Sequence, residues 1–247
     1  MNNIVSERDY VSIFLNYIRH PYGPFCTDFF AHSQTLPGNL EQKYGCDGII
    51  IFVGQHGIKI GMFEAKVIKG HFDSIVGINP NTISRFQRQI NKQCTINPAI
   101  AVWEMFINKG DTAGRQFDLN GSTCVKLAIA RTHVIQGNRW QYGDLNSICQ
   151  VSYLRNNNSP VNLEQIIFEI MNCNFGKFIP KTIKNIPLYG EGKEQLNIPI
   201  IEENATSEDY SNINDFLIKS KLFSYTIVDI RKYKRERREL SISNILL

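Results

Sequence analysis

Three charged residues, Asp47, Glu64 and Lys66, interrupt the apolar stretch YGCDGIIIFVGQHGIKIGMFEAK, residues 44–66. Charged groups are costly inside a sheet unless they are paired, coordinated or solvated. Folding the chain about Gly54-Gln55-His56-Gly57 sets Val53 opposite Ile58, Ile51 opposite Ile60, Ile49 opposite Met62 and Asp47 opposite Glu64. Directly opposed residues of an antiparallel pair hold their Cβ atoms about 4.5–5.5 Å apart. Side chains alternate along a strand, so Lys66 shares a face with Glu64. Two facing carboxylates repel at neutral pH and require compensating positive charge. Lys66 supplies one charge, and a hard divalent cation, magnesium or manganese, suits carboxylate oxygens. Such an ion polarises a phosphate and lowers the pKa of a bound water, and a neighbouring ammonium stabilises negative charge developing on phosphorus. Together these groups have the chemistry for phosphodiester hydrolysis.

The elements that must carry this cluster follow from periodicity. Glycines at both shoulders of the polar loop 54–57 mark a hairpin joining strands over 45–53 and 58–68. Both faces of the first strand are apolar, which calls for cover on both sides. Ser6 and Asp9 suggest a helix start, with Tyr10, Phe14, Tyr17 and Ile18 at helical spacing before the His20–Pro24 breaker. A helix is expected over 82–93, strands over 99–107 and 125–135, and a helix over 161–173 after the Asn156–Pro160 breaker. The fold class is therefore α/β, a central mixed sheet flanked by helices.

Asp47, the sixteen intervening residues and Glu64-Ala65-Lys66 resemble the PD-(D/E)XK nuclease signature. The resemblance covers residues 36–107 and departs from the pattern in having Cys46 where the eponymous Pro stands. It implies a restriction-endonuclease-like core in which Asp47, Glu64 and the Ala65 carbonyl bind Mg2+, with Mn2+ as a substitute, and Lys66 assists the attacking water. Some members carry an upstream acid, a role that Glu41 resembles; Glu7 is a weaker candidate, since its first-turn position is explained by the helix dipole. Members often place a Gln on the following helix. Gln87 resembles it, because Ile83, Phe86 and Ile90 would define the buried stripe and Gln87 falls inside it, with Gln89 turned away. Arg85 and Arg88 flank that stripe and could touch phosphate, or be solvated helix charges.

Composition is compatible with this chemistry. The chain of 247 residues is 43% hydrophobic and 20% charged, with a net charge of +4 that permits nucleic-acid binding without requiring it. No apolar run is long enough to span a membrane, and the N-terminal residues lack a secretory pattern. The six cysteines, 26, 46, 94, 124, 149 and 173, have no zinc-knuckle spacing and are expected to be reduced in a cytoplasmic protein. None of the histidines sits in a metal-binding motif.

The organisation expected is a nuclease core over 1–180, a loop or linker over 181–212 and a helical, basic extension over 213–247. Residues 187–212 hold six acidic residues among Pro, Gly and Asn, and 213–223 return to helical spacing. Six of the eight residues of RKYKRERR, 231–238, are basic; Arg231, Lys232, Lys234, Arg235 and Arg238 could grip a phosphate backbone, or be a solvated terminal helix. The expectation is a DNA endonuclease of type II restriction type, dimeric if it cuts both strands of a symmetric site. The alternatives are a repair, recombination or transposon-associated nuclease of the same fold, a non-catalytic nucleic-acid-binding module, and a protein-interaction domain whose hairpin charges are incidental.

Overall fold

The structure is a computed structural model that describes residues 9–14, 44–53, 57–68, 72–76, 83–108, 122–133, 135, 139–154, 161–180, 185–188, 196–199 and 225–229. It is an α/β fold built on a mixed sheet. Strand β1 (Gly48–Val53) pairs antiparallel with β2 (Gly57–Ile68), β2 pairs parallel with β5 (Ala101–Asn108), and β5 pairs antiparallel with β6 (Ser122–Lys126). The β1–β2 register sets Ile49 against Met62, Ile51 against Ile60 and Val53 against Ile58, as folding about the Gly54–Gly57 loop requires. Two more strands join this sheet. β7 (Ile179–Pro180) pairs with the start of β2, and β10 (Tyr225–Asp229) runs parallel to β1. Two small hairpins, β3 (Ile75–Val76) with β4 (Ile83–Ser84) and β8 (Asn185–Leu188) with β9 (Leu196–Pro199), stand apart from it.

Helices cover both faces of the sheet. On one face, α1 (residues 9–14) sets Phe14 edge-on to Phe63 at 5.9 Å. On the same face, α5 (Leu163–Met171) buries Ile166, Ile167 and Ile170. Lys59 reaches up from this face, and its Nζ donates to the Ile170 carbonyl at 2.5 Å and to that of Phe175 at 3.1 Å. A buried ammonium there complements the negative end of the α5 dipole. On the opposite face, α2 (Arg85–Gln93), α3 (Leu127–Ala130) and α4 (Tyr142–Leu154) enclose Ile68, Phe86, Ile90, Phe106, Val125, Trp140, Leu145 and Ile148. The apolar character of both faces of β1 is thereby explained.

Several expected boundaries move, each for a local reason. The helix expected from 82 begins at Arg85. Ile83 and Ser84 are held in β4, and the Ser84 hydroxyl accepts from the Gln87 amide as its N-cap. Asp73 anchors this start, because its carboxylate accepts from the amides of Ser74 (2.8 Å), Phe86 (2.9 Å) and Trp140 (2.8 Å) and from the Ser84 hydroxyl. The strand expected over 125–135 ends at Lys126, where Leu127 starts α3. The long stretch expected as a linker contains the β8–β9 hairpin. The tail expected as a separate helical extension contributes β10 to the central sheet, so part of it belongs to the core. The helix expected over 213–223 lies outside the described residues.

Candidate active site

The Asp47 backbone stops just short of the β1 ladder: its N–H donates to the Phe63 carbonyl at 2.7 Å. The side chain then takes over the pairing, with Oδ2 accepting the Ala65 amide at 2.7 Å. Asp47 is thus fixed across from the Glu64-Ala65-Lys66 segment of β2. Gly45, two residues earlier, permits this approach. It sits at φ +64°, and a Cβ placed on it would meet the Gln89 carbonyl of α2 at 2.6 Å. Only glycine takes up that backbone conformation and that contact together without strain.

Glu64 and Lys66 project from one face of β2 toward α2. Lys66 Nζ is paired with Glu64 Oε1 and lies 6.0 Å from the centre of the Phe86 ring. Gln89 Nε2 donates to the same Glu64 oxygen at 2.5 Å. The parallel β2–β5 register sets a second glutamate, Glu104, beside Glu64. Across three neighbouring strand positions the sheet therefore carries a row of acids: Asp47, Glu64, Glu104. Gln93 lies over its inner end, and its Nε2 donates to the Gly45 carbonyl at 2.5 Å and to Glu104 Oε2 at 3.4 Å.

Exposure is graded along the row. Asp47, Lys66 and Gln89 each keep 8% exposure, whereas Glu64 and Glu104 have none. Solvent reaches the row from the Asp47–Lys66 side, and Glu104 is at its closed end. Burial pushes the Glu104 carboxyl up to about 8, against the lowering effect of the Gln93 hydrogen bond and the Lys66 charge. Burial also raises the Cys46 thiol well above its ordinary value, and the nearby acids add to this. Cys46 is therefore a protonated, packed side chain.

The donor set consists of hard oxygens, as a divalent cation prefers. Glu104 Oε1, Gln89 Oε1 and Gln93 Oε1 are buried and have no hydrogen-bond partner among the described residues. Among the described residues no group of three or more His, Cys, Asp or Glu side chains is gathered so as to hold one ion. Strand spacing explains this, since the outer acids of the row are two strands apart, roughly 9–10 Å. Any one cation would be held by adjacent members of the row and not by all three.

The positions of the other expected residues differ. Gln87 is not in the site: its Oε1 accepts from Trp140 Nε1 at 3.1 Å, and its Nε2 donates to Asn91 at 3.2 Å. The later start of α2 removes Ile83 from the helix. The buried stripe becomes Phe86, Gln89, Ile90 and Gln93, about 110° around from Gln87. Gln89, expected to turn away, is the glutamine that touches Glu64. Arg85 and Arg88 are exposed on the outer side of α2. His133 pairs with Asp144 at 3.2 Å, away from the row. Glu7, Glu41 and the basic residues Arg231, Lys232, Lys234, Arg235 and Arg238 lie outside the described residues.

No family model, curated protein or solved structure matches the chain. Its chemistry therefore rests on the row itself. Glu104 and Gln93 escaped sequence reasoning, although a lone Glu in the apolar run AVWEMFI, residues 101–107, was a legible signal. A charge there must be paired or functional. Among the described residues no helix is long and apolar enough to cross a membrane.

Proposed function

We propose that this protein is a metal-dependent DNA endonuclease with a restriction-endonuclease-like core, of type II restriction type. The observation that supports it best is the convergence of Asp47, Glu64 and Lys66 near the C-terminal end of β2, with Asp47 locked to the Ala65 amide. Asp47 and Glu64, with the Ala65 carbonyl, would hold magnesium or manganese. When bound, the ion would polarise a phosphoryl oxygen and acidify a water. Asp47 is positioned by its hydrogen bond to Ala65. Gln89 fixes the rotamer of Glu64 by donating to Oε1. Lys66 balances the carboxylate charge before substrate arrives and then offers its ammonium to the negative charge that builds on the phosphate. The exposed Arg85 and Arg88 on α2 and the basic residues 231–238 are the proposed backbone contacts for DNA, and a homodimer would place two such sites on a symmetric sequence.

The test is differential metal stabilisation. Mn2+ at saturating concentration is expected to raise the melting temperature of the wild type, since it binds only the folded site. Asp47→Ala and Glu64→Ala should lose most of that rise and all cleavage of plasmid DNA. An equal metal-induced shift in all three proteins contradicts the assignment.

A further inference from the structure

Asp47 is presented by the short turn that precedes it, and that turn is tied to α2 at two points. Gly45 stands in the left-handed region at φ +64°, with its backbone against the Gln89 carbonyl of α2. Its own carbonyl accepts from Gln93 Nε2 at 2.5 Å. The segment is fastened again at Asp47, whose N–H donates to the Phe63 carbonyl and whose Oδ2 accepts the Ala65 amide.

Glycine takes up the left-handed conformation about as readily as its alternatives, so its surroundings must select this one. For the Gly45–Cys46 peptide group the selecting contact is the Gln93 amide. Gln93 is 1% exposed, which keeps that hydrogen bond out of reach of bulk solvent. The other contact of the same nitrogen, Glu104 Oε2 at 3.4 Å, is the longer of the two. Without the donor, the Gly45–Cys46 peptide would be free to rotate and would redirect the chain that leads into Asp47.

One turn back on the same helix face, Gln89 Nε2 donates to Glu64 Oε1 at 2.5 Å. Residues four apart on a helix surface are neighbours, about 5–6 Å from one another. α2 is therefore a common reference for two acids. Gln89 holds the side chain of Glu64, and Gln93 holds the turn that carries Asp47.

We propose that Gln93 is a positioning residue for the cation site: it holds Asp47 at a fixed reach from Glu64 and so makes the site select Mg2+ over Ca2+. The inference rests on the cation role proposed for Asp47 and Glu64. Magnesium demands near-ideal octahedral geometry at short metal–oxygen distances, whereas calcium accepts longer and more variable ones. Loosening Asp47 therefore penalises magnesium more than calcium.

The experiment is competition of Mg2+ and of Ca2+ against Mn2+ on the full chain without DNA, read by electron paramagnetic resonance of the free Mn2+, with melting temperatures measured alongside. Gln93→Met and Gln93→Leu both remove the donor, the first keeping the length of the side chain and the second branching it. Each should lower Mg2+ affinity tenfold or more and Ca2+ affinity far less. Gln87→Leu, on the same helix but away from the row, should keep the wild-type ratio of the two affinities whatever it loses in melting temperature. An unchanged ratio in the Gln93 variants that fold overturns the inference and leaves the proposed function standing. Failure of both variants to fold does the same, since Gln93 would then serve folding and not position. No Mn2+ bound by the wild type, or binding that Asp47→Ala leaves intact, overturns both.

Discussion

Glu104→Gln should change how stability depends on pH. In the folded protein the Glu104 carboxyl titrates at about 8, against an ordinary value of 4.5. The folded state therefore holds a proton that the unfolded chain releases at much lower pH. Stability from this group is fully present below pH 4.5 and is lost as the pH rises through about 8. The size of the loss follows from that displacement and is at most about 5 kcal/mol, with Lys66 and local relaxation reducing it. Glutamine keeps the shape and hydrogen-bonding capacity of the protonated acid, so the variant should escape the loss. The assay is urea unfolding of both proteins from pH 4.5 to 9 in the presence of EDTA. Titrations common to the two proteins cancel in the difference. The curves should coincide near pH 4.5, part progressively as the pH rises and run parallel above about 8, with the variant the more stable. Curves that run parallel throughout would refute the burial of this carboxyl and, with it, the position of Glu104 in the row.

Two further substitutions test the geometry. Gly45→Ala should destabilise the protein by roughly 2–5 kcal/mol, because the new Cβ adds left-handed strain and overpacking against the Gln89 carbonyl; a urea midpoint within experimental error of the wild type would contradict that contact. Gln89→Leu should lower the cleavage rate tenfold or more by freeing the Glu64 carboxylate, whereas Gln87→Leu should cost stability through Trp140 and leave cleavage at saturating enzyme unchanged; the reverse ranking in single-turnover assays would return the functional role to Gln87.

The hairpin was legible because its two signals agree. Glycines bracket the 54–57 loop, and period-two alternation then determines which residues meet. The pairing of Glu64 with Lys66 follows from the same period. Glu104 was harder to place, because its proximity to Glu64 depends on a parallel crossover whose register no local pattern encodes. The error at Gln87 came from three residues at a helix start. With Thr82 as the beginning, Ile83 joins the stripe; with Ser84 as the N-cap, the stripe rotates onto Gln89 and Gln93. The β10 segment YTIVD is rich in β-branched residues, but its place beside β1 is a long-range pairing that sequence position alone does not reveal. Asp73 carries four hydrogen bonds that position the start of α2. Those partners come together only in the folded chain, and one of them, Trp140, is far along the sequence.

The most direct measurement is single-turnover cleavage of DNA by Lys66→Ala, with Mg2+ and saturating enzyme, alongside DNA affinity measured in Ca2+. If Lys66 acts on the charge that develops at phosphorus, cleavage should fall on the order of a hundredfold or more while affinity changes little. Cleavage by Lys66→Ala at the wild-type rate would contradict the account, and the charged pair at the end of β2 would then be a structural ion pair.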